Sequence, residues 1–363
     1  MRQSSVLILL LFIALNSCQQ SNKADNEEDS KQVGHSSEIN DKEIVCFVYH
    51  RFGDGRYPST NISLKDFEAH LQYLKENDYQ VLSFSSAIKY LKSESKTQKT
   101  AVITIDDGYK SFIQNGLPLL RKYDFPATLF INTETVGGGD YMDWEEIEKA
   151  MNNKIEIGNH THSHDYFLNL PETSRHETFE EEIKLSQQLI EEQTGQVPDI
   201  FAYPYGELDP KMKEIVKNSG FIGAAAQNSG VISSGSDLMQ CPRFPMSEAY
   251  AGIDKFTSKA EMRALKVINI TPSSFIIPEN KSKPELKLNV NRADLQLDRL
   301  QCFIQGVECR INKSISENGE AIITLSPASG IENRRRTLYT VTVPDTVGNW
   351  HWFSHLFINP QIR

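Results

Sequence analysis

Ile103-Thr104-Ile105-Asp106-Asp107-Gly108 ends an apolar run in two adjacent carboxylates and a glycine. Thr100 to Ile105 reads as a β-strand. Side chains alternate along a strand, so Asp106 and Asp107 can approach one site only where the chain turns, and Gly108 marks that turn. Further along, His160-Thr161-His162-Ser163-His164 places three imidazoles within five residues, in a chain that has nine histidines. His160 and His164 share a face on a helical turn, whereas an extended segment would bring His162 to the same face as well. A helical turn points His162 away and leaves it a structural or outer role. Together the two stretches offer one carboxylate and two histidines to a divalent metal, with a second carboxylate beside it. A catalytic metal site needs three protein ligands, an open position and a base. The competing reading of Asp-Asp-Gly alone is an ordinary turn.

Around these stretches, strands and helices alternate. Ile44-Val45-Cys46-Phe47-Val48-Tyr49 is a continuous apolar run of the kind buried on both faces of a parallel sheet. Leu64, Phe67, Leu71 and Leu74 have helical spacing. Val81-Leu82, Ala127 to Ile131, Ile155 to Ile157, Ile200 to Tyr203 and Phe221 to Ala226 read as strands. Ser86 to Leu91, Tyr109 to Tyr123, Trp144 to Met151, Glu172 to Gln193 and Pro210 to Ser219 read as helices, with Gly195 as a stop signal. Repeated βα units predict an α/β barrel or doubly wound sheet, with the chemistry just after the strands. After Ala260 the texture changes to short strand-like runs separated by Pro, Asn and Gly, which predicts an all-β sandwich-like domain.

The 363 residues leave room for two domains, and the net charge of −10 argues against a nucleic-acid partner. Arg334-Arg335-Arg336 is a local basic patch that reads as a solvated loop. The apolar run Val6 to Leu15 is too short to span a bilayer and suits a signal-peptide core. Leu15-Asn16-Ser17-Cys18 resembles a bacterial lipoprotein cleavage site, which implies a lipid on Cys18 and an exported protein held at the cell envelope. The polar stretch after it, lacking aromatics, reads as a tether. The expected division is therefore residues 1–17 signal peptide, 18–42 tether, 43–258 catalytic domain and 259–363 β domain. Cys302 and Cys309 are close enough in sequence to pair in an oxidising compartment, and Cys46 reads as a small buried hydrophobe.

Thr104-Ile105-Asp106-Asp107-Gly108 and His160-Thr161-His162-Ser163-His164 resemble the first two motifs of the polysaccharide deacetylase family, with its NodB-homology catalytic domain, also known as carbohydrate esterase family 4. The resemblance covers Ile44 to about Tyr250. It implies a distorted (β/α) barrel, with Asp106 as base and Asp107, His160 and His164 as ligands to a divalent metal, zinc above others. The third motif is partly kept: Pro204 and Tyr205 match, implying an oxyanion contact from the Tyr205 N–H. Ala202 stands where the family's base-orienting arginine is usual, and Arg243 is the candidate substitute. The usual C-terminal Leu-x-His is missing, since no histidine lies between His176 and His351. Tyr49-His50 resembles the element of the exopolysaccharide de-N-acetylase branch in which this histidine comes first, which implies His50 as general acid.

The implied reaction removes acetyl groups from an amino-sugar polysaccharide such as poly-N-acetylglucosamine, peptidoglycan or a chitin-like chain. An O-acetyl esterase and an inactive glycan-binding lipoprotein are the alternatives. A metallo-β-lactamase-type hydrolase is disfavoured, because its His-x-His-x-Asp-His order is not kept here.

Overall fold

The structure, a computed structural model, describes residues 42–278 and 281–362. The expected signal peptide, Cys18 and all but the last residue of the expected tether lie outside the described residues. Six parallel strands carry the first sheet, in the spatial order Glu43–Tyr49, Thr100–Asp106, Ala127–Ile131, Ile155–Asn159, Ile200–Ala202, Gly223–Ala225. Every residue of Thr100–Asp106 is buried, because the strand is covered on both faces. Val231–Ser233 pairs antiparallel with Glu43–Tyr49, and Gln80–Leu82 joins Thr100–Asp106.

One irregular segment links the two ends of this parallel array. Cys241 bridges in parallel to Ala225, while Phe244–Pro245 pairs in parallel with Phe47 and Val48. Arg243 lies between those two contacts. The α/β barrel expected from the βα alternation is therefore present, in distorted form.

The helices follow their sequence signals. Leu64–Glu76 starts at Ser63, whose hydroxyl accepts from the Asp66 N–H, and it buries Phe67, His70, Leu71 and Leu74. Trp144–Met151 has a capping box between Asp143 and Glu146, a device worth about 1 kcal/mol. Glu172–Thr194 ends at Gly195, whose φ of 71° suits a residue without Cβ. The helix expected from Tyr109 to Tyr123 is regular only over Leu117–Tyr123. Phe112–Gly116 is a π-turn, and a Cβ on Gly116 would sit 3.0 Å from the Phe52 ring.

The C-terminal region is two four-stranded sheets. One runs Arg263–Ala264, Trp350–Ile358, Arg336–Pro344, Gln301–Ile304; the other runs Val267–Thr271, Leu286–Val290, Ala321–Pro327, Cys309–Ile315. Leu286, Leu288 and Val290 alternate inward with Ile323 and Leu325 and meet Tyr339, Val341, Val343 and Phe357 in one core. Gln301–Ile304 and Cys309–Ile315 carry little apolar alternation, and sequence reading missed them. Cys302 and Cys309 form a disulfide.

The two parts share apolar surface. Phe275, Leu356 and Ile358 pack into the cluster of Phe201 and Tyr203, and the Trp352 ring meets Phe244 edge-on at 5.4 Å. At the expected boundary, 258/259, the chain is within helix Ile253–Ala260, whose Phe256 and Ala260 belong to the barrel core.

Candidate active site

Asp106 ends its strand, and Asp107 follows with φ 73°, which turns the second carboxylate out of the strand's alternation. Seven described residues other than glycine have positive φ, and four of them, Asp107, Thr161, His164 and Tyr205, are at or beside this site. Such conformations cost on the order of 1–3 kcal/mol each and persist only where neighbours impose them. Here the neighbours are identifiable. Thr161 N–H donates to Asn159 Oδ1 at 2.8 Å, and the His162 and Ser163 N–H groups both donate to Glu182 Oε2 at 3.0 and 2.6 Å.

His160 Nδ1 lies 2.7 Å from the Ala202 carbonyl, which can only accept, so Nδ1 carries the proton. That leaves the Nε2 lone pair toward Asp107. Nε2 of His160 and of His164 stand 3.5 and 3.4 Å from Asp107 Oδ1. Ligands 2.0–2.1 Å from a tetrahedral centre are about 3.4 Å apart, so these spacings fit a small divalent cation. The three ligand atoms all lie within 4.8 Å of one another. His162 is turned aside, its Nδ1 2.9 Å from Thr133 Oγ1.

Asp106 meets a different environment. Arg243 donates from its two terminal nitrogens to both carboxylate oxygens at 2.7 and 2.8 Å, and from Nε to the Ala226 carbonyl at 2.9 Å. Burial pushes the Asp106 carboxyl up, but the Arg243 guanidinium and His160 outweigh it and hold it below the usual carboxylate range. Asp107 is held low against the same burial by its contact with His160 and by His50 and His164. Burial, reinforced by His160, pushes His164 down to about 4.

His50 follows the first strand, whose Tyr49 is in register with Ile105 on the neighbouring strand. That register sets His50 next to the carboxylates, close enough for its charge to act on Asp106, Asp107 and His164. Tyr205 walls the site beside His164: its ring meets His164 at 4.6 Å and stacks flat on Tyr166 at 3.6 Å. Of the other aromatic side chains near the motifs, Tyr203 is buried, with its hydroxyl donating to the Met239 carbonyl, and Tyr109 pairs with Tyr141.

Sequence reading missed two supports of this wall. Arg336 donates to the Tyr205 carbonyl at 2.9 Å across 131 positions. Arg335 lies 4.5 Å over the Tyr166 ring and grips Glu207 with two nitrogens at 2.7 and 2.6 Å. The reading of Arg334-Arg335-Arg336 as a solvated loop is thus corrected, because two of the three guanidiniums hold the barrel rim. Only their positive charge was visible in the sequence.

Residues 93–223 match the family model described as polysaccharide deacetylase. A Bacillus subtilis (strain 168) protein named as a polysaccharide deacetylase, YxkH, is 26% identical over 210 residues, covering 58% of this chain and 73% of the relative. The poly-beta-1,6-N-acetyl-D-glucosamine N-deacetylase of Staphylococcus aureus is 23% identical over 213 residues, covering 56% of this chain and 73% of the relative. Among solved structures, the Streptococcus pyogenes deacetylase PplD in complex with acetate shares the barrel fold, with a TM-score of 0.55 and 19% identity over 60% of this chain and 98% of that one. His50 and Arg243 both lie outside the span matched by the family model. The barrel thus contains a polysaccharide deacetylase domain over residues 93–223, and the relatives it matches are deacetylase enzymes.

Proposed function

We propose that the chain removes N-acetyl groups from an amino-sugar polysaccharide of the poly-N-acetylglucosamine kind, releasing acetate, and that it does so with a divalent metal held by Asp107, His160 and His164. The observation that carries this reading is the unlike treatment of two neighbouring carboxylates. Asp107 shares a cluster with two imidazole nitrogens, while Asp106 is locked onto Arg243. A cation at the cluster, zinc by its mixed nitrogen and oxygen donors, would acidify a water and polarise the acetyl carbonyl. Asp106 is kept ionised by Arg243 and retains lone pairs beyond the two used there, so it accepts the water's proton. The Tyr205 N–H steadies the oxyanion, and His50 protonates the departing amine. The family likeness to a poly-beta-1,6-N-acetyl-D-glucosamine N-deacetylase supports the substrate class.

The same reading places the protein outside the cytoplasm, anchored to the cell envelope through lipid on Cys18. The Cys302–Cys309 disulfide supports an oxidising compartment. Residues 259–363 serve in this reading as a β domain that braces the barrel and walls the site.

The deciding experiment is acetate release from poly-N-acetylglucosamine, chitin oligomers, peptidoglycan and acetylated xylan, with and without chelator. Release from an N-acetylated polymer, abolished by chelation and by Asp106→Asn, is expected. Release from xylan alone would move the reading to an esterase. Glycan binding without any release by the zinc-loaded protein would make it a binding module.

A further inference from the structure

Tyr205 also lines a groove of about 680 Å³ between the barrel rim and the sandwich. That volume is within the roughly 300–1,000 Å³ usual for ligand sites. Lys259 and the three arginines of 334–336 line it, and among the described residues no aspartate or glutamate does. This basic excess is local, because the whole chain carries 48 acidic residues against 38 basic ones. The four cations are not equivalent. Arg335 is neutralised from behind by Glu207, and Arg336 is tied to the Tyr205 carbonyl and lies 3.8 Å from Glu207. Among the described residues, Arg334 is exposed and pairs with no carboxylate, and the Lys259 ammonium donates to the Lys255 carbonyl at 3.4 Å and to no carboxylate. Phe303 and Tyr250, 56% and 46% exposed, add ring faces on which sugars can lie.

A polysaccharide seated with one acetylated sugar at Asp107 and Tyr205 must continue past that wall. Two uncompensated cations there select the charge of the neighbouring sugar. A free amine, the product of deacetylation, brings like charge to them and is rejected. A carboxylate offers the planar, two-oxygen partner that a guanidinium fork fits best.

We propose that this groove is a glycan subsite selecting carboxylate-bearing sugars next to the acetylated sugar in the site. It deepens the deacetylase reading and rests on it for what occupies the site, while adding the charge of the chain. Within an amino-sugar polymer, the preferred stretches are then those where an acetylated sugar neighbours an acidic one, and stretches already deacetylated are poor ligands.

The test is calorimetric binding to the whole chain, with chelator present to stop turnover. Three probes of equal length are compared: an oligosaccharide alternating N-acetylglucosamine with glucuronate, an N-acetylglucosamine oligomer and a glucosamine oligomer. The acidic probe is expected to bind about tenfold tighter than the neutral one at low salt, the advantage fading at high salt, with the glucosamine oligomer weakest. Arg334→Glu, at an exposed position, is expected to erase the preference, and Lys259→Gln to reduce it. Equal binding of acidic and neutral probes, or a preference that neither substitution changes, overturns the proposal. Chelator-sensitive acetate release from the neutral oligomer is scored separately. Release without charge preference removes the subsite and keeps the deacetylase, and preference without release does the reverse.

Discussion

Arg243 reaches Asp106 across 137 positions of chain and closes on both carboxylate oxygens, with each side chain fully buried. A buried pair of this kind contributes little net stability, yet breaking it strands a charge at a cost of about 3–5 kcal/mol. Arg243→Met is therefore expected to lower the unfolding free energy by about that amount in urea titrations and to abolish acetate release. Adding Asp106→Asn to it should restore part of the stability and none of the activity. An Arg243→Met protein as stable and active as the parent would remove the positioning role.

Metal binding is expected to separate the three histidines of the motif. One zinc per chain is expected by calorimetry. Loss of an outer-shell partner alone costs about 10–100-fold in affinity, so Asp107→Ala, His160→Ala and His164→Ala should each cost more. His162→Ala should keep the stoichiometry, because His162 turns toward Thr133 instead. Equal loss in all four variants would mean that the motif folds around the metal as a unit.

His50→Gln tests the proton donor. General acid catalysis contributes about 10²–10⁴-fold, so kcat is expected to fall within that range while zinc content and KM change little. Loss of zinc in this variant would make His50 a ligand instead.

Two buried histidines outside the site are expected to limit stability in acid. His70 is pushed down to about 4 by burial; the Tyr49 hydroxyl donates to its Nδ1, and its Nε2–H donates to the Ala251 carbonyl at 2.7 Å. His355, packed between Phe275 and Phe357, is likewise pushed down to about 4 by burial. The unfolded chain binds these protons near the ordinary value of about 6.5, so it gains them first as pH falls. The stability each contributes is complete above pH 6.5 and is lost on going down to pH 4, about 2 kcal/mol of it by pH 5. Unfolding free energies at pH 7.5 and 5 should differ accordingly, and the difference should shrink in His355→Phe. A flat profile would show that the rings take up protons in the fold at the same pH as in the unfolded chain.

Most of the barrel was visible in the order of residues. The apolar run Ile44–Tyr49, the spacing of Phe67, Leu71 and Leu74, and the stop at Gly195 each report on near neighbours, and each element formed where its signal lies. The β domain was visible where burial alternates, as in Leu286–Val290, and invisible in Cys309–Ile315, whose side chains are nearly all exposed. The π-turn at Phe112–Gly116 had no local signal, because its close neighbour, the Phe52 ring, comes from elsewhere in the chain.

The chemistry divides in the same way. Asp106, Asp107, His160 and His164 stand out in the primary structure because adjacent carboxylates and closely spaced imidazoles are patterns of residue type over a few positions. Which arginine serves Asp106, which face of Tyr205 is braced and what charge lines the groove beyond it were set by the closure of the barrel at Cys241–Pro245 and by the packing of the sandwich. Those contacts join residues more than a hundred positions apart, and no periodicity along a chain encodes a distance that only folding brings to 2.7 Å.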